Sequence, residues 1–171
     1  MGSLTKIFTA LAGAIALMGA MAGAAQAQSV SAVTADELEA ALSAAGLSPS
    51  MLEDAANGAP VANGTAGEFS FFVRGLDCSG TPSACETLMF FANFDLGRTA
   101  SAGDFRVVNK FNDSQVFGRA YVIEAQSQVG VDYVVELGGG VSKDHLEQNV
   151  SRWADVIAAF VDQFRTGVGA S

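Results

Sequence analysis

The apolar and polar positions change period several times along the chain, and each change marks an element. Ile7 to Ser31 carries no charge, and Ile7 to about Met21 is a continuous apolar run after Lys6. Thr34-Ala-Asp-Glu37 is a capping-box pattern with Thr34 as N-cap. Leu38, Ala41, Leu42 and Ala45 then mark one helical face, with Gly46 placed to end the helix. Ser48-Pro49 is expected to open a short second helical turn carrying Met51 and Leu52. Asn57-Gly58 and Asn63-Gly64 are turn dipeptides, so 57–67 reads as loops around a short strand.

Period two takes over next. Phe69 to Asp77 and Glu86 to Asp95 read as strands. Phe69, Phe71 and Val73 share a face in the first, and Leu88, Phe90, Ala92 and Phe94 in the second. Phe72, Leu76, Met89 and Phe91 take the opposite faces, so the sheet is expected to be covered on both sides, by helices or by another subunit. Ser101 is placed to cap a helix over 102–112 carrying Phe105, Val108 and Phe111. Phe117 to Ala125 and Val129 to Leu137 form a hairpin around Gln126-Ser127-Gln128. After Gly138-Gly139-Gly140, Ser142 caps a last helix over 143–165. Its residues Leu146, Val150, Trp153, Ile157, Phe160 and Phe164 fall at alternating steps of four and three, the stripe of a helix packed on a sheet or a partner helix.

The order α-β-β-β-α-β-β-α predicts an α+β fold, a largely antiparallel sheet of about five strands with helices packed on it. At 171 residues the chain suits one domain plus a processing segment. Lys6, the apolar run and Ala25-Gln26-Ala27 match a signal peptide cleaved between Ala27 and Gln28. The run is mostly Ala and Gly and ends in a cleavage pattern, which argues against a membrane anchor. The organisation is therefore 1–27 leader, 28–33 flexible segment, 34–165 single domain and 166–171 flexible tail, in a periplasmic or secreted protein.

Charge narrows the partners. Nine Lys+Arg against 18 Asp+Glu give a formal charge of −9, opposite to the basic footprint that nucleic acid requires. One His and two Cys do not suffice for a four-ligand structural zinc site unless carboxylates complete it. Neither metal nor cofactor is expected. Cys78 and Cys85 flank a run of turn formers between Phe-rich segments, and in an exported chain they read as a disulfide. A redox pair would favour Cys-x-x-Cys at a helix N-terminus instead.

Other candidate chemistry has a structural counterpart. His145 lies beside Ser142 and Asp144, but neighbours on one helical turn do not make a nucleophile and base converge. The glycine run could cradle a phosphate, yet Asp144 and Glu147 in the first helical turn would repel an anion. Asn109 and Asn112 bracket Phe111, suited to tying the helix to the following strand.

Asn109-Lys-Phe111-Asn112, Phe117-Gly-Arg119-Ala120-Tyr121, Gly139-Gly140-Val141-Ser142 and the helix bearing Leu146, Trp153 and Phe160 follow in order. Together, over roughly 34–165, they resemble the YbjN family, whose members are described as sensory transduction regulators. The resemblance implies a fold similar to type III secretion chaperones, which dimerise and hold unfolded partners, and it implies no catalytic residue. An export leader and the cysteine hairpin depart from its cytoplasmic relatives. The expected function is a non-catalytic, exported protein-interaction or chaperone-like module whose partner is another protein or a second copy of itself. Two alternatives are a carrier for a small apolar ligand, which needs a pocket of roughly 300 Å3 or more, and a hydrolase using Ser142 and His145.

Overall fold

A computed structural model describes residues 29–53 and 57–168. The leader and its cleavage point at Ala27 and Gln28 lie outside the described residues. Helix α1 spans Ala35–Ala44. The Thr34 N–H donates to Glu37 Oε2 at 2.8 Å and the Glu37 N–H to Thr34 Oγ1 at 3.4 Å, the reciprocal cap its sequence predicts. At its other end Gly46 takes φ +74°, a left-handed conformation that glycine adopts freely, and the Leu47 N–H returns to the Leu42 carbonyl at 3.0 Å.

Six antiparallel strands form the main sheet: β2 (Ser50–Glu53), β3 (Pro60–Ala66), β4 (Phe69–Ser79), β5 (Ala84–Asp95), β6 (Arg119–Ile123) and β7 (Gln128–Glu136). Their spatial order is β2-β3-β4-β5-β7-β6. Helix α2 spans Ala102–Ser114 and α3 spans Lys143–Val168. A second, two-stranded sheet pairs β1 (Ser29–Val30) with β8 (Val141–Ser142).

Several expectations need correction. Met51 and Leu52 lie on β2, paired with Ala62 and Val61, and not on a helical turn; the ladder to β3 outweighs the local Ser-Pro signal. The segment before Thr34 is tied down, because β1 pairs with β8 and buried Val33 exchanges backbone hydrogen bonds with Cys85 at 3.0 and 2.9 Å. Helix α3 continues to Val168, so the described part of the predicted tail is helical. The strand predicted to reach Ala125 stops at Ile123, where Glu124–Gln126 form a 3-10 turn and Ser127 closes the hairpin at φ +53°.

All three helices pack on one face. Phe71, Val73, Leu88, Phe90, Ala92, Val131 and Val135 point into that core. Against them lies the α3 stripe, with Leu146, Val150, Trp153, Ile157 and Phe160 all buried. Trp153 is its centre, with ring centroids 5.8 Å from both Phe71 and Phe90. Gly64 lies under the Phe71 ring, where a Cβ would come within 2.7 Å of Cζ. Among the described residues no helix covers the second face, so of the predicted two-sided cover only one side is supplied by them.

Trp153→Ala removes the largest buried side chain and is expected to cost about 4 kcal/mol through lost transfer energy and a cavity. Urea unfolding followed by far-ultraviolet circular dichroism measures it; a loss under about 1 kcal/mol would show that the stripe does not hold the core.

Candidate interaction surface

Strand alternation sets the geometry of the open face. Register places Phe72 opposite Phe91, Arg74 opposite Met89, and Met89 opposite Val134. The Phe72 and Phe91 rings stack, with centroids 5.6 Å apart and planes at 21°. Phe72 remains 39% exposed and Val134 45% exposed, although each sits mid-strand on a hydrogen-bonded ladder. Large apolar side chains in that setting are normally covered.

Charged groups frame this apolar centre. Beside Phe91 lies Asp132, buried on the same face and opposite Arg119. The Arg119 Nε donates to Asp132 Oδ1 at 3.2 Å and Nη2 donates to Oδ2, which raises the guanidinium pKa further. Next along β6, Tyr121 donates its hydroxyl to Asn93 Oδ1 at 2.8 Å. Burial, followed by the charge of Asp132, pushes its pKa up to about 12. One row in the other direction, the Thr87 hydroxyl lies 3.0 Å from Asp77 Oδ2 and 2.9 Å from Glu136 Oε2. The face thus runs from the carboxylates of Asp77 and Glu136, through an apolar strip flanked by Arg74, to the Asp132–Arg119 pair.

The edge of the sheet is closed by a side chain. From α2, Asn112 Nδ2 donates to the Ala120 carbonyl at 3.1 Å, and the Ala120 N–H donates to Asn112 Oδ1 at 2.8 Å. One amide thereby stands where a further strand's backbone would pair with β6. Asn109 is exposed and takes no part. Phe111 is buried and meets Phe160 edge-on at 5.4 Å. Helix α2 itself is rotated from expectation. Asp104, Val107, Val108 and Phe111 form the buried face, and Phe105 faces solvent.

That rotation follows from Asp104. Its carboxylate receives Arg98 Nη1 and Nη2, each at 2.7 Å, together with the Ser101 N–H at 2.7 Å and the Ser101 hydroxyl at 2.8 Å. The Arg98 hydrogen bonds, and then those from Ser101, hold the Asp104 pKa far below the usual carboxylate range against the opposing effect of burial.

The remaining candidates are structural in their contacts. Cys78 and Cys85 face one another across β4 and β5, with Cα atoms 3.9 Å apart and the sulfurs joined. Ser142 Oγ receives the His145 backbone N–H at 3.1 Å, the bond of an N-cap; among the described residues no hydrogen bond joins that hydroxyl to the imidazole, which is exposed. Gly140 accepts φ +92° in the turn before α3. A network absent from the sequence reading lies nearby. The Tyr133 hydroxyl donates to Asn149 Oδ1, Arg152 Nη1 donates to the same oxygen at 2.8 Å, and Asn149 Nδ2 donates to the His145 carbonyl at 2.7 Å. The Arg152 guanidinium also covers the Phe117 ring at 4.2 Å. Among the described residues no group of three His, Cys, Asp or Glu side chains could hold a metal ion, and no helix is long and apolar enough to cross a membrane.

Comparison with known proteins gives one family. Residues 34–166 match the YbjN model, described as a "putative bacterial sensory transduction regulator". No curated protein matches the sequence. Among solved structures, the chain is similar to the crystal structure of YbjN from E. coli, described as a "putative transcription regulator". The two share 14% identity over 74% of this chain and 92% of that one, with a TM-score of 0.47. No residue role is carried over from it.

Asp104→Asn is expected to destabilise the fold by about 2 kcal/mol at neutral pH, through the lost charge-assisted bonds. A lowered folded-state pKa contributes stability that is complete above the unfolded carboxylate value and declines as pH falls below about 4. Wild-type stability should therefore drop in acid more steeply than that of the variant; parallel pH profiles from denaturant titrations would contradict it. Asn112→Ala should cost about 1–2 kcal/mol and speed aggregation on warming, read by light scattering, because it uncovers the β6 edge. Unchanged scattering would show that the edge needs no cap.

Proposed function

The chain belongs to the YbjN family, and we propose that it acts as a non-catalytic, exported protein-interaction module whose open sheet face is covered by a second copy of itself. The observation that carries this reading is the stacked Phe72–Phe91 pair, exposed beside Val134 on a face that no helix covers among the described residues.

The charge layout favours a second copy over an unlike partner. A two-fold axis running across the strands at the Met89–Val134 row lays each of those residues over its own equivalent. The same operation sets Glu136 of one copy above Asp132, next to exposed Arg119, of the other. Under that axis the Glu136–Arg119 approach occurs twice, as an isologous interface requires, while Arg74, which shares the Met89 row, lies over its own equivalent. Two such faces pack about 10 Å apart with their strand directions offset by about 30°. A paired module with its helices outward resembles in principle the chaperone-like arrangement that holds partly folded clients, and it suits the regulatory description of the family.

Export is supported by the Lys6–Ala27 leader pattern and by the joined Cys78 and Cys85, since disulfides persist in oxidising compartments. The non-catalytic reading is supported by the use of the Ser142 hydroxyl as an N-cap.

Sedimentation equilibrium at micromolar concentration tests the proposal. The wild type should be a dimer, and Phe72→Arg should weaken dimerisation by about 100-fold or more while leaving the far-ultraviolet spectrum unchanged. A monomeric wild type, or a dimer indifferent to Phe72→Arg, would refute the face. Protein released by osmotic shock should begin at Gln28; a full-length cytosolic chain would refute export.

A further inference from the structure

Where the last turns of α3 pass the end of the sheet, they leave a cavity of about 510 Å3, a size usual for small-molecule sites. Its walls are aromatic. Phe160 is buried, with ring centroids 5.9 Å from Phe94 and 5.7 Å from Phe164, and Phe69 meets Phe94 edge-on at 6.3 Å. Phe69, Phe94 and Phe164 are only half-buried, each turning part of its ring towards the space.

The rim carries two carboxylates and one cation: Glu68, Asp95 and Arg165. Arg165 Nη1 donates to Glu68 Oε1 at 3.3 Å, and its guanidinium carbon lies 5.8 Å above the Phe69 ring centre. The pair is two-thirds exposed, at 67% and 68%, so solvent leaves it little strength. Asp95 accepts the Gly97 N–H at 2.7 Å and has no ion-pair partner among the described residues. The rim therefore retains one uncompensated negative charge, on a chain whose formal charge is already −9.

From this arrangement we propose that the cavity binds a small lipophilic cation, an aromatic or branched apolar body bearing one positive charge. Arg165 already shows where the charge goes: between the face of Phe69 and the carboxylate of Glu68, a combination that attracts any weakly hydrated cation. The ligand's cation displaces Arg165 from that position, and its apolar body lies against Phe94 and Phe164. An anion would meet two carboxylates and an arginine already neutralised. Apart from Ser70 and Asn93 at the end of the sheet, the walls belong to α3 and to the helix-covered side, so the site lies away from the Phe72, Met89 and Val134 centre of the proposed dimer face.

Two ions of one shape and opposite charge decide the matter, tetraphenylphosphonium and tetraphenylborate, each titrated calorimetrically into the purified protein. The phosphonium should bind one per chain and the borate at least about tenfold more weakly, since only the sign of the rim potential distinguishes them. Phe164→Ala should weaken the phosphonium about tenfold by removing a wall. Asp95→Asn, on an exposed side chain whose bond to the Gly97 N–H it keeps, should weaken it about threefold. Arg165→Ala should tighten binding, because it vacates the cation position. Equal or stronger binding of the borate, no binding of either ion, or weaker phosphonium binding in Arg165→Ala would each overturn the proposal, with circular dichroism confirming that the variants are folded.

Discussion

The contact of Trp153 with Phe71 and Phe90 fixes how the rest of the chain is distributed. A strand offers two faces, and this one contact commits α3 to the face that holds Phe71, Phe90 and Val131. Helices α1 and α2 pack beside α3 on the same side, with Leu38, Leu42 and Phe111 in the same core. Among the described residues no helix is left for the other face. The period of two then makes the exposure of Phe72 and Val134 a direct consequence, because each residue facing the core puts its neighbour outside.

Closing the sheet sideways is a separate problem from covering it, and the chain solves the two with different residues. Asn112 supplies a donor and an acceptor to Ala120 from a helix already anchored by Phe111. At the other side of the domain, Val33 pairs with Cys85, and β1 with β8, so the approach to α1 is stitched to the base of α3. Pairing at the β6 edge is blocked by local polar geometry, whereas the open face keeps its apolar side chains. A surface left apolar while its edge is blocked favours face-on contact over strand addition.

What the sequence made legible was local. The Thr34–Glu37 cap and the four-three spacing from Leu146 to Phe160 are written within one or two helical turns, and both appear in the fold. The apolar positions of β4 and β5 were equally readable, but alternation states only which residues share a face, never what lies over it. Strand β2 and the β1–β8 pair depend on partners distant in sequence, which no short window contains. Helix α2 fits two stripes: Phe105-Val108-Phe111, and Asp104-Val107-Val108-Phe111. Hydrophobicity alone selects the first; the hydrogen bonds from Arg98 and Ser101 make the buried carboxylate affordable and select the second. Asp132 could have been found by counting outward from the β6–β7 turn, since that register puts it opposite Arg119.

The placement of charge follows from the same one-sided packing. An acid inside the fold must meet a cation or protonate. Among the described residues the two buried aspartates each take an arginine, Asp104 with Arg98 and Asp132 with Arg119. With only 9 basic residues against 18 acidic ones, that use leaves the outer surface strongly negative, where self-repulsion opposes close approach of copies. The open sheet face departs from this rule: Phe72, Phe91, Met89 and Val134 form an apolar strip flanked by Arg74, with Glu136 on one side of it and the Asp132–Arg119 pair on the other. In the proposed dimer the Glu136–Arg119 contacts would offset part of that long-range repulsion. An acidic surface of this kind does not forbid association; it restricts association to orientations in which opposite charges meet.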